Sequence, residues 1–119
     1  MSTGARGEGI LTLQGEQYVV LFTLRALADA ERVTGKSIVQ LMTAASTQAV
    51  GVGELAQLLV VGLEYGRRDG RTRTTSYGPN DAWRLMDALG FAVVAVVVLE
   101  ALAAAMSYSP AVESDGPPA

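Results

Sequence analysis

Apolar and polar positions change rhythm along this chain, and each change predicts an element. Ile10-Leu11-Thr12-Leu13 and Tyr18-Val19-Val20-Leu21-Phe22 flank Gln14-Gly15-Glu16-Gln17, the pattern of two short strands joined by a Gly-containing turn. Thr23 then opens a helix that Gly35 closes. Between Leu24 and Thr34 a helical projection puts Ala26, Leu27, Ala30 and Val33 on one side and Arg25, Asp29 and Arg32 on the other. Asp29 follows Arg25 by four residues and precedes Arg32 by three, an ion-pair ladder expected on a solvent-facing stripe. Ser37 and Gln40 have the spacing of a capping box, in which each side chain satisfies a free backbone N–H at a helix start. The helix they start runs to about Ser46, with Ile38, Leu41, Met42 and Ala45 at i, i+3, i+4 and i+7.

Gly51-Val52-Gly53 breaks the pattern, and Glu54 follows where a negative charge meets the positive end of a third helix. Leu55, Leu58, Leu59 and Leu63 form its stripe, with Gly62 among them. A glycine on a buried face costs about 1 kcal/mol of helix propensity and implies close approach by another backbone. Residues 66 to 78 have no apolar period and hold Arg67, Arg68, Arg71 and Arg73 against Asp69, which predicts a long arginine-rich loop. Pro79-Asn80-Asp81 starts another helix, Ala82, Leu85, Met86 and Leu89 repeat the helical spacing, and Gly90 stops it. Phe91 to Met106 is the last predicted element. Its valines favour extended structure, but the continuation from Leu99 to Met106 is strongly helical, and one uninterrupted element of this length reads as a helix. The fold class is therefore mainly α: an N-terminal two-stranded β-hairpin, then a bundle of four to five helices. Residues 1–7 are expected to be flexible, 8–107 to form a single domain, and 108–119 to be a disordered tail.

Composition narrows the chemistry. At 119 residues the chain has the length of one domain, and with 50% hydrophobic and 18% charged residues it is richer in apolar side chains than an isolated monomer needs. Some of that surface should meet a subunit or partner. With no Cys and no His, disulfides, the usual zinc sites and imidazole triads are out of reach. A net charge of −3 argues against a dedicated nucleic-acid binder. The first eight residues lack an apolar signal core, so a cytoplasmic location is expected. Gly4, Gly7 and Gly9 precede a strand instead of opening a helix, and Gly51-Val52-Gly53 lacks the third glycine and the Lys-Ser/Thr of a phosphate loop. Asp81 with Asp87, and Glu64 with Asp69, read as surface acids. Neither a cofactor nor an enzymatic activity is expected.

Three features admit more than one reading. Residues 89–106 approach the roughly 20 apolar residues that cross a bilayer. Glu100 lies inside the run, however, where an acid costs roughly 2.5 to 3.5 kcal/mol, and basic flanks are missing. A helix apolar almost all round must be covered on most sides, by the rest of the core or by a partner. The arginine segment is either a solvated loop, a surface for acidic protein groups, or, with Tyr65 and Tyr77, a stacking platform for single-stranded bases. Trp83 packs in the core or anchors an interface.

The run from Gly7 to Ile38 has Gly-Glu before the first strand, Gly15 in the turn, Tyr18 in the second strand and Gly35-Lys36-Ser37-Ile38 between two helices. It resembles the tail assembly chaperones of long-tailed phages and gene transfer agents, more narrowly the gene-transfer-agent gp10-like family, which also goes under the label phage tail tube protein. The likeness continues through Gly62-Leu63-Glu64-Tyr65-Gly66 and the Ala/Val/Leu-rich final helix, spanning residues 7 to 107. It rests on the order of elements and a few glycines. The resemblance implies a non-enzymatic viral chaperone, itself a homo-oligomer, that binds a tape measure protein and keeps it soluble while tail tube protein polymerises. The surfaces expected to serve are the Val93, Val97 and Glu100 side of the last helix and the Phe22 end of the hairpin, with Trp83 and Arg67, Arg68, Arg71 and Arg73 as further contacts. The rivals are a structural tail component, tube or terminator, and a small membrane-associated protein acting through residues 89–106.

Overall fold

A computed structural model describes residues 7–70 and 75–107. The expected tail at 108–119 and the loop positions Arg71 and Arg73 lie outside the described residues.

Strands β1 (Glu8–Leu13) and β2 (Glu16–Leu21) pair antiparallel, with Glu8 opposite Leu21 and Leu13 opposite Glu16. Only Gln14 and Gly15 connect them, both left-handed at φ 54° and 82°. Such a two-residue turn has the twist the strands require, so Glu16 and Gln17 belong to β2 and the expected four-residue turn is shorter. Phe22 N–H donates to the Gly7 carbonyl at 2.9 Å and closes the open end of the ladder. Gly7, expected in a flexible terminus, is buried, and a Cβ there would stand 2.7 Å from that of Ala105. Leu11, Tyr18 and Val20 share the buried face of the hairpin.

Helix α1 (Leu24–Thr34) begins where Thr23 Oγ1 accepts the Ala26 N–H at 3.1 Å, and it ends at Gly35, φ 74°. Helix α2 (Ile38–Ser46) carries the predicted capping box, Gln40 N–H to Ser37 Oγ at 3.1 Å and Ser37 N–H to Gln40 Oε1 at 2.8 Å. The Ile38 N–H also donates to the Glu31 carboxylate at 2.9 Å, which ties α2 to α1. At the other end of α2, Gln48 N–H reaches Ala45 O at 3.1 Å and Ala49 N–H reaches Ala44 O at 2.7 Å. This is a Schellman cap, with Gln48 at φ 58° where a glycine is usual.

Helix α3 (Val52–Gly70) is the central element; Leu55, Leu58, Leu59 and Leu63 are all fully buried. It runs four residues past Gly66, so Arg67 and Arg68 sit in its last turn and not in a loop. Cations there meet the negative end of the helix, and Arg67 is fastened to Glu64 one turn back. Two glycines of α3, Gly62 and Gly66, admit the hairpin. A Cβ on Gly66 would lie 2.1 Å from Val19 O, and one on Gly62 would lie 3.0 Å from both Phe22 Cζ and Val20 Cβ. The close approach expected at Gly62 is thus made by side chains, and the backbone contact falls one turn later. Helix α4 (Pro79–Leu89) starts with Gly78 N–H on the Asp81 carboxylate at 2.9 Å. Helix α5 (Phe91–Ser107) leaves it at 120° through Gly90, φ 94° and ψ 149°.

Candidate partner-binding groove

Helix α5 has no polar face to turn outward. Val94, Ala95, Val98, Ala101, Leu102 and Ala105 are buried against the hairpin and the other helices. Phe91, Val93 and Val96 remain 42%, 52% and 54% exposed. The fold therefore covers one side of this helix and leaves apolar surface on the other.

Part of that surface forms one wall of a groove of about 690 Å³ between α5 and α2. Ala92, Ala95, Val96, Leu99 and Ala103 come from α5, with Phe91 at its first residue; Met42 and Ala45 face them from α2, and Val50 from the linker to α3. The polar lining is Ser46, Gln48 and Glu100. The second wall follows from the stripe of α2, which is split: Ile38 and Leu41 are buried in the core, whereas Met42 and Ala45 are half-buried and present their free sides to the groove. Along α5, Ala92 to Ala103 spans about 17 Å.

The residues expected on a contact surface are dispersed by the fold. Phe22 is 0% exposed, its ring seated over Gly62, so it is core and presents nothing outward. Val97 packs inward on the hairpin, its Cγ1 2.8 Å from where a Cβ on Gly9 would stand. Val93 is exposed on α5 but stands outside the groove lining, and Glu100 is part of that lining. Val96, Leu99, Met42 and Val50 were not singled out by sequence. No local signal finds them, because the run from Val93 to Val98 has no polar face and the α2 stripe of Ile38, Leu41, Met42 and Ala45 does not show which of its members the core leaves open.

Of the two described arginines of this segment, Arg67 is committed to the fold. Arg67 Nε and Nη2 each donate to Glu64 at 3.0 Å, and the Tyr77 N–H donates to the same carboxylate. The Arg67 bond holds the Glu64 carboxyl below the ordinary glutamate range against the opposing effect of burial, and it raises the guanidinium in turn. Arg68 is 58% exposed, 5.1 Å over the Tyr65 ring and 3.8 Å from Glu64. The Tyr65 hydroxyl donates to Asp29 at 2.6 Å. That bond depresses the Asp29 carboxyl and raises the Tyr65 phenol, so Asp29, which also makes the expected ladder pair with Arg32 at 3.5 Å, joins α1 to α3. Arg84 donates to the Tyr18 hydroxyl at 3.1 Å, and the Tyr18 and Tyr77 ring centres are 6.2 Å apart. Both tyrosines of the suggested stacking platform are thus engaged within the fold. Trp83 is 40% exposed at the edge of a smaller cavity of about 290 Å³, with Val33, Val60 and Pro79, so it is not a core residue.

Among the described residues no cluster of His, Cys, Asp or Glu is placed to hold a metal ion. No single described helix is long and apolar enough to cross a membrane; α4 and α5 pass that test only together, across their 120° bend. Comparison with models of known protein families, with curated proteins and with solved structures finds no match to this chain.

Proposed function

We propose that this chain is a non-enzymatic tail assembly chaperone of the kind its sequence resembles. It holds an apolar helical segment of a tape measure protein in the α2/α5 groove and keeps that protein soluble in the host cytoplasm while tail tube protein assembles. The groove carries the reading: an open apolar trough of about 17 Å accommodates about three turns of a partner helix, and an amphipathic helix laid into such a trough is a recurrent mode of recognition. The magnitude suits a temporary hold. Covering the exposed part of side chains such as Phe91 and Val96, 42% and 54% exposed, contributes about 1 kcal/mol each, enough to mask a greasy segment and too little to trap it. When no partner is present, the same exposed surface of α5 favours association between copies, hence a homo-oligomer.

Co-expression with a tape measure protein followed by size-exclusion chromatography tests this. The two should elute together with the tape measure protein soluble, and Val96→Asp should abolish both effects while melting like the wild type. A tape measure protein that stays insoluble beside the wild-type chain would overturn the proposal. Mass spectrometry of purified particles separates it from a structural tail component, because a chaperone leaves and a tube or terminator subunit stays.

A further inference from the structure

The groove carries one sign of charge. Glu100 is the single ionisable side chain that lines it. No hydrogen bond or ion pair engages its carboxylate among the described residues. Neither wall supplies a cation, since the sequence has no Lys or Arg from residue 37 to 53 or from residue 85 to 119. The acid is also off-centre. It stands about 13 Å along the axis from Phe91 and about 5 Å from Ala103.

Glu100 is exposed at the edge of the groove, and an occupant that is apolar throughout would strip part of the water from its carboxylate and return nothing. Building on the chaperone reading above, we infer that the groove selects a helix whose apolar stripe is flanked at one end by Lys or Arg, seated so that the cation meets Glu100 near the Ala103 end. A charge pair at a groove rim sets orientation and register more than it adds affinity. Glu100 therefore fixes which way round the partner helix lies, while Val96 and Leu99 hold it.

The test uses two labelled synthetic amphipathic peptides with the same Leu/Ala stripe, one ending in a pair of Lys and the other in a pair of Glu, titrated by fluorescence anisotropy against the full chain. The Lys peptide should bind about fivefold tighter at low salt, and high salt should narrow the difference. Glu100→Lys should reverse the preference. Val96→Asp and Ala92→Asp, both at exposed positions, should abolish binding of either peptide without lowering the melting temperature. Equal affinities that Glu100→Lys leaves unchanged, with binding still lost in Val96→Asp, would overturn the charge selection and leave the groove reading standing. Failure of both peptides to bind, or undiminished binding by Val96→Asp, would overturn the groove reading as well. Adsorption to phosphatidylcholine vesicles without peptide binding would do the same in favour of a lipid surface.

Discussion

Two single residues mark opposite extremes of local strain. At Gly66 the backbone of α3 touches the Val19 carbonyl so closely that a methyl group would sit 2.1 Å from the oxygen. Gly66→Ala must push the hairpin off the helix, and a loss of about 3 kcal/mol is expected from urea denaturation, in the range of overpacked cores. Gln48 is the reverse case. It occupies the left-handed cap position of α2 at φ 58° and bears the Cβ penalty there, so Gln48→Gly should stabilise the protein by about 1 kcal/mol in the same assay. Helix boundaries set by capping were legible from sequence because their signals are local: Thr23, Ser37 with Gln40, and the Pro79 to Asp81 start all serve as read. The last turn of α3 was missed because what extends it, Glu64 clasping Arg67 and the Tyr77 amide, joins residues on both sides of an aperiodic segment.

At the scale of elements, α5 shows what sequence pattern reveals and what it withholds. The pattern identified a helix apolar on nearly every side, and the structure agrees. Which side stays open depends on where the hairpin and α2 come to rest, and a valine run without a polar face cannot encode that. Val97 was therefore named as a surface residue and proves to face Gly9, whereas Val96, its neighbour in the chain, opens onto the groove. The two sides should respond differently to substitution. Leu102→Ala, at a fully buried position, should cost about 3 kcal/mol. Val96→Asp should shift stability by no more than about 0.5 kcal/mol, as measured by thermal melting. Phe22 was misread for a related reason: a large aromatic at a strand end looks available until Gly62, forty residues on, is seen to make room for it.

For the whole molecule, acid stability rests on carboxylates that bridge elements. Glu64, held down chiefly by Arg67, joins α3 to the start of α4; Asp29, held down chiefly by Tyr65, joins α1 to α3; Glu54, held down chiefly by Lys36, joins α3 to the segment between α1 and α2. Each is depressed in the folded state, so the unfolded chain takes up protons first as pH falls. Their contribution is complete above the ordinary carboxylate values of about 4 and is lost as pH falls through those values toward the lower folded ones. Urea midpoints measured from neutral to acid pH should be level and then drop. Glu64→Gln should lower the neutral plateau and flatten the drop.

Gly90 gives the molecule something like a calliper. The corner between α4 and α5 is made by one residue in a conformation open to glycine, with nothing near enough to crowd a side chain, so a substitution there is opposed by torsion and not by contact. A substitution at this pivot would set that torsional cost against the packing that seats α5 on the hairpin, and the gauge of helix that fits beside α2 would register any yielding without the loss of an atom that the helix touches.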